Sequence, residues 1–412
     1  MRESRILSAI TFFALASICA GSLSCRSSEE AAVQDNGMPT KEDVVLAMRR
    51  ANDYWIENHA SPGDNGWARA TYFEGNMAMY AVYADEAYLK YALMWADGNT
   101  WGLSGGAATR NADNQCAGQT YVDLYRIDPV PTRIEMTESS LSSMLAGDII
   151  NDWSWVDALQ MAMPVFAKLT VLRNDTAYAD RMYEMYSWTK RSEGNDGLYN
   201  TTDHLWWRDS TFRPPIAAAN GKNVYWSRGN GWAIAAHVRV LEELDKLPVA
   251  DSHRAEYVQT FQEMATALAA LQQPDGFWYQ NLLDPTDPAG PETSGTAFFT
   301  YALAWGVHHD LLPADTYLPV IARAWQALAG TALGKDGKLG YIQPGGNKPT
   351  TTTTKDDHYD FGVGAFLLAG SEVLALATGP TPSPVSDLTI AHGSAATASA
   401  SQSPFFRGVY AP

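Results

Sequence analysis

From Thr40 to about residue 378, apolar residues recur at three- and four-residue intervals in one stretch after another. That is the period of an amphipathic helix, not of a strand. The first stretch opens at Thr40, where Asp43 completes a capping-box pattern ahead of "VVLAMRRANDYWIEN". Others occupy residues 74–95, 116–127, 132–147, 154–173, 175–191, 228–247, 252–272, 293–309, 313–333 and 360–378, so eleven or twelve helices are predicted. Strand-like alternation is scarce. Clusters of Gly, Pro, Asn, Asp and Trp mark the connections, as in "SPGDNGW", "DHLWWRDSTFRPP" and "LGYIQPGGNKPTTTTTKDDHYD". Helices of similar length, joined alternately by short turns and long polar-aromatic loops, suit hairpins closed into a ring. The expected fold is therefore all-α, an (α/α)6 barrel whose loops collect around a cleft at one end.

The ends of the chain read differently. Arg2 and Arg5 precede "ILSAITFFALASICAGSL", the pattern of a secretory signal over residues 1–25, and "SLSC" ending at Cys25 is similar to a bacterial lipoprotein cleavage site. The expectation is an exported protein, periplasmic or held to a membrane through lipid on Cys25. Residues 26–38 form a polar tether, 39–378 the folded domain, and 379–412 a Pro/Ser/Thr-rich linker or the start of an appended domain. Cys19 falls in the signal and Cys25 at its end, which leaves Cys116 and no disulfide framework. A net charge of -17 argues against nucleic acid as a partner. It also means that an anionic ligand needs a locally positive pocket.

Three segments carry candidate chemistry. "NVYWSRGNGW" sets Trp226 and Trp232 around Arg228, with Gly229 and Gly231 at the mouth of a helix. Flat indole faces suit sugar rings, the planar guanidinium suits a carboxylate, and Asn230 is placed to cap the helix. A capped helix with two core tryptophans has the same pattern. In "NDWSWVDALQMAMPVFAKL", Asp157 lies among apolar residues behind Trp153 and Trp155, an environment that disfavours its charge and suits a general acid. A first-turn acid on the helix dipole is the alternative, and Asp152 fits that better. In "NADNQCAGQTYVDLY", Asp113 is either a carboxylate facing Asp157 or part of an ordinary cap. His204 and Arg208, in the Trp206–Trp207 segment, add a loose candidate and a second cation. His308 and His309 read as a helix-end pair with no spacing partner for zinc, and neither a phosphate loop nor a serine elbow is present.

"WSRGNGW", "WVDALQMAMPVFAKL", "DNQCAGQTYVDLY", "ETSGTAFFTYALAWGV" and "YDFGVGAFLLAGSEV", in this order, resemble the unsaturated rhamnogalacturonyl hydrolases of glycoside hydrolase family 105, related to the unsaturated glucuronyl hydrolases of family 88. The likeness covers about residues 40–378. It implies an (α/α)6 barrel that needs no cofactor or metal and acts on an anionic oligosaccharide bearing a 4,5-unsaturated uronate at its non-reducing end. The implied reaction is hydration of the C4=C5 vinyl ether, with Asp157 as acid and then base, Asp113 as its partner, and Trp155, Trp226, Arg228 and Trp232 in the substrate pocket. Where many members carry "HGWDE", this chain has "LWWRDSTF", so Arg208 and loosely His204 stand in as substrate contacts, and a sulfated or doubly acidic substrate is favoured. The rival expectations are another α/α-barrel glycosidase, a polysaccharide lyase, or a non-catalytic glycan-binding lipoprotein.

Overall fold

The computed structural model describes residues 37–384. The expected leader, the tether up to residue 36 and the tail from residue 385 lie outside the described residues. In chain order the helices are α1 (Lys41–Asn58), α2 (Trp67–Val82), α3 (Glu86–Gly98), α4 (Ala112–Gln115), α5 (Ala117–Ile127) and α6 (Glu135–Leu145). They continue with α7 (Asp157–Arg173), α8 (Ala177–Arg191), α9 (Ser227–Leu244), α10 (Arg254–Ala269), α11 (Thr293–His308), α12 (Ala314–Ala327) and α13 (Asp360–Leu376). Thr40 caps α1 by accepting from the Asp43 amide at 3.1 Å, as the capping-box pattern predicts.

Burial sorts these helices into two rings. Every residue of α7 from Asp157 to Thr170, and of α11 from Thr293 to Val307, is buried. By contrast α1 buries one stripe: Val44, Val45, Met48, Ala51, Asn52, Trp55 and Ile56 among others. Neighbour packing runs α2, α4 with α5, α7, α9, α11 and α13, and α13 returns to α2. Six inner positions are thus backed by outer α1, α3, α6, α8, α10 and α12, which is the expected (α/α)6 barrel.

Closure of the inner ring depends on glycine. A Cβ on Gly364 would lie 2.1 Å from the Thr71 carbonyl oxygen, and one on Gly75 would lie 2.2 Å from that of Gly364. Only bare backbone lets α2 and α13 approach so closely. Outside the helices, Thr40 and Thr378 pair side by side and tie the two ends of the domain together.

One expectation is corrected. The stretch 74–95 is two helices, because the chain turns at Tyr83 and the Asp85 carboxylate caps α3 by accepting from the Ala87 amide at 2.9 Å. The glycines 229 and 231 are helical, and their use is space. A Cβ on Gly229 would press on Trp226 at 2.9 Å, and one on Gly231 on Phe298 at 3.0 Å.

Candidate active site

The first turns of the inner helices meet at one end of the barrel. Trp67 of α2 stands edge-on to Trp232 of α9, with ring centres 6.1 Å apart, and lies 5.2 Å from Phe361 of α13. Arg228 of α9 reaches Ser294 of α11 and the Phe361 ring. Asp157 opens α7 within the electrostatic reach of Asp113 on α4. The positive ends of these helix dipoles add potential around one cleft, which is where a chain of net charge -17 can receive an anion.

Arg208 is delivered to Asp157 by a short hairpin, β1 (Tyr199–Asn200) with β2 (Leu205–Trp206). The Asn230 side chain accepts from the Trp206 amide at 2.8 Å and donates to its carbonyl at 3.0 Å. It therefore pins β2 instead of capping α9, whose cap position is Trp226. The Val156 amide donates to the Arg208 carbonyl at 2.8 Å. These anchors hold the Arg208 Nε 3.3 Å from Asp157 Oδ2, while its Nη1 donates to Asp209 at 2.8 Å. Asp157 Oδ2 and Arg208 Nε face each other as a buried ion pair that does not close into a hydrogen bond.

Burial pushes the Asp157 carboxyl up to about 6, Asp113 adds to the rise, and Arg208 and Arg228 oppose it. Burial also raises Asp113, against the pull of Arg208. The two aspartates and Arg208 thus form one electrostatic unit, and a proton resides on Asp157 at mildly acidic pH. Glu292, the other acid nearby, is fully engaged. It accepts from the amides of Ser294, Gly295 and Gln343 at 3.0, 2.7 and 3.1 Å and from the Ser294 hydroxyl at 2.7 Å. That makes it the cap of α11 and not a proton donor.

The remaining sequence candidates fall in different places. Arg228 is 1% exposed, and its donors serve the protein: Nη1 to the Gln343 carbonyl at 2.7 Å, Nη2 to the Pro344 carbonyl at 2.8 Å. It is sandwiched between Trp226 and Phe361, 4.6 and 4.8 Å from the ring centres. Trp226, 2% exposed, donates from Nε1 to the Gln343 side chain at 2.7 Å, and Trp232, 1% exposed, packs on Phe298. In this state these three residues build the wall and present no free face to a sugar. Trp155 is half-buried beside Asp157. His204 is not part of the cluster. The register Asn200↔Leu205 turns residues 201–204 outward, and His204 meets Tyr199 and Glu263 of α10. Asp152 is no first-turn acid but pairs with Arg110 at 2.9 and 2.5 Å. The sequence gives no sign of the part played by Gln343, a loop residue outside any periodic pattern, or of Phe361, which reads as one more apolar residue at the start of α13.

An α/α barrel whose cleft holds a buried acid poised near neutrality, a second carboxylate and a facing arginine has the parts of a glycoside hydrolase. The family model for Glycosyl Hydrolase Family 88 matches residues 43–377, and the chain belongs to that family. The sequence motifs had suggested family 105 with family 88 as its relation; the match falls on family 88. An unsaturated 3S-rhamnoglycuronyl hydrolase of Formosa agariphila is 32% identical over 348 residues, 78% of this chain and 88% of the relative. The solved structure of a glycosyl hydrolase family 88 protein from Bacteroides vulgatus is 37% identical with a TM-score of 0.76, covering 81% of this chain and 99% of its own. Another, described as a polysaccharide lyase, is 34% identical with a TM-score of 0.75, covering 81% and 97%.

Proposed function

We propose that the enzyme removes a 4,5-unsaturated uronate from the non-reducing end of lyase-generated oligosaccharides by hydrating its C4=C5 double bond. The observation that carries this reading is Asp157, a buried acid held near pH 6 whose Oδ2 faces the guanidinium of Arg208 without a hydrogen bond. Protonated Asp157 gives its proton to C4, leaving a cation shared between C5 and the ring oxygen. A water then adds at C5 and returns a proton to the Asp157 carboxylate. The hemiketal opens, and the rest of the oligosaccharide leaves from C1 with its glycosidic oxygen. Acid and base are one residue used in sequence, so no second carboxylate at a fixed glycosidase spacing is required. Asp113 keeps the proton on Asp157 through its negative charge. Arg208 is the cation open to the cleft, and the uronate carboxylate or a further anionic group on the next sugar is its partner. The name of the Formosa relative supports a rhamnose there, and we read its 3S as sulfate.

The direct test follows the ultraviolet band of the conjugated uronate while the protein is mixed with lyase digests of pectin, ulvan and glycosaminoglycans. Loss of absorbance is expected, fastest with the sulfated rhamnose-containing digest. The neighbour described as a lyase favours one second reading, in which the protein creates such double bonds; absorbance would then rise with intact polymer and stay constant with the digests.

Arg208→Ala should act on the acid as well as the substrate. Arg208 is the strongest charge opposing protonation of Asp157. Its loss should therefore move the high-pH limb of kcat upward by roughly one unit and raise KM for sulfated substrates about tenfold or more. An unchanged pH profile with unchanged KM would remove both roles.

A further inference from the structure

At the other end of the inner helices, opposite the cleft, the fold supplies what the histidine pair lacks in sequence. His308 closes α11, and the Nδ1 atom of His308 lies 3.2 Å from Oε2 of Glu372 on α13. A ring nitrogen of His309 completes a set in which all three ligand atoms lie within 4.8 Å of one another. Two donors bound at about 2.0–2.1 Å in tetrahedral geometry stand about 3.3 Å apart, which the His308–Glu372 pair already matches. His309 is exposed and rests on the Trp305 ring, 4.6 Å between centres, so a side-chain rotation brings it in without moving backbone.

The surroundings point the same way. Glu372 is 4% exposed, and among the described residues its ion-pair partner is His308. Glu242 of α9, which accepts from the Tyr301 hydroxyl at 3.3 Å, is a second carboxylate close enough to repel it. Asp245 and Asp310 also bear on His309. Carbonyl ends of helices add further negative potential here, the reverse of the cleft end. We infer that His308, His309 and Glu372 form a structural site for a first-row divalent cation, zinc above all by its preference for two imidazoles and a carboxylate. The cation replaces the proton between His308 and Glu372 and staples the far ends of α11 and α13, leaving the hydrolytic chemistry untouched.

The test strips the full chain with a chelator, then titrates ZnCl2 by calorimetry and CoCl2 by visible absorption. One ion per chain with micromolar or tighter affinity is expected, releasing a proton as the imidazole is metallated. At a hundredfold excess over Kd the melting temperature should rise by about 4 °C. With water as the fourth ligand, cobalt should give four-coordinate d–d bands without thiolate charge transfer. His309→Ala removes an exposed ring and leaves folding intact; it and Glu372→Gln should each weaken zinc binding at least about tenfold. Absence of uptake by the parent, or uptake by both variants with the parent's affinity, would overturn the assignment and leave His308 and Glu372 an ordinary ion pair.

Discussion

Asp157→Asn is expected to lower turnover by roughly a hundredfold or more while making the folded protein more stable above pH 6. The activity arm follows from proton transfer, since an amide can neither protonate C4 nor take a proton from water. The stability arm follows from linkage. Burial raises the Asp157 carboxyl from 3.8 to about 6, so the folded chain holds this proton over a range in which the unfolded chain has lost it. Stability from this group is present below pH 4 and declines as pH climbs through 6. Above that, the buried anion costs on the order of 3 kcal/mol, which asparagine does not incur. Melting curves of the two proteins should therefore converge near pH 4 and separate by several degrees at pH 8. In the parent, kcat should fall about tenfold per unit above the limb set by Asp157. A variant retaining more than a tenth of the activity would exclude Asp157 as the acid, and equal melting temperatures at pH 8 would exclude the strain attributed to it.

That the proposed acid is also a liability explains why it could be found in sequence. Asp157 stands out because its helix buries every other side chain through Thr170; the other charge in that stretch, Lys168, is answered by Asp123 and Glu243, whereas burial holds Asp157 above the usual carboxylate range. The helices are legible for a different reason: helices such as α7 and α11 are buried on all sides and the outer ones on one stripe, and both patterns follow from a two-layer ring. The break between α2 and α3 was not legible, because apolar periodicity runs through Tyr83 and only the side chain of Asp85, turned back on Ala87, ends it. Long-range pairings were hidden altogether. Gln343 meets Trp226 across 117 residues of chain, and Glu372 meets His308 across 64. Neither spacing leaves a trace in local composition. The aromatic and arginine residues of "YWSRGNGW" stand out in sequence, and in the structure Trp226 and Arg228 are occupied by the loop at Gln343 and Pro344.

Arg228→Met is expected to expose the cost of losing those loop contacts. Arg228 grips the carbonyls of Gln343 and Pro344 between two aromatic faces, and methionine keeps most of its bulk while removing every donor. One buried and one part-buried carbonyl lose charged donors, so the fold should weaken by about 3 kcal/mol. Asp157 simultaneously loses one of the two cations opposing its protonation, and the high-pH limb of kcat should move upward. Turnover should fall about tenfold or more as segment 343–350 loosens over the cleft. Burial already lowers Arg228 itself to about 10, so it is charged at every pH where the enzyme acts, and its own titration contributes nothing to the profile. A residue whose main work is to hold substrate would behave otherwise: KM alone would rise, with the melting temperature and pH limb unmoved. That outcome would show that the wall opens on binding and that Arg228 exchanges its carbonyl partners for a carboxylate. The expected outcome instead makes Arg208 the anion's first contact and Arg228 the post on which the cleft is built.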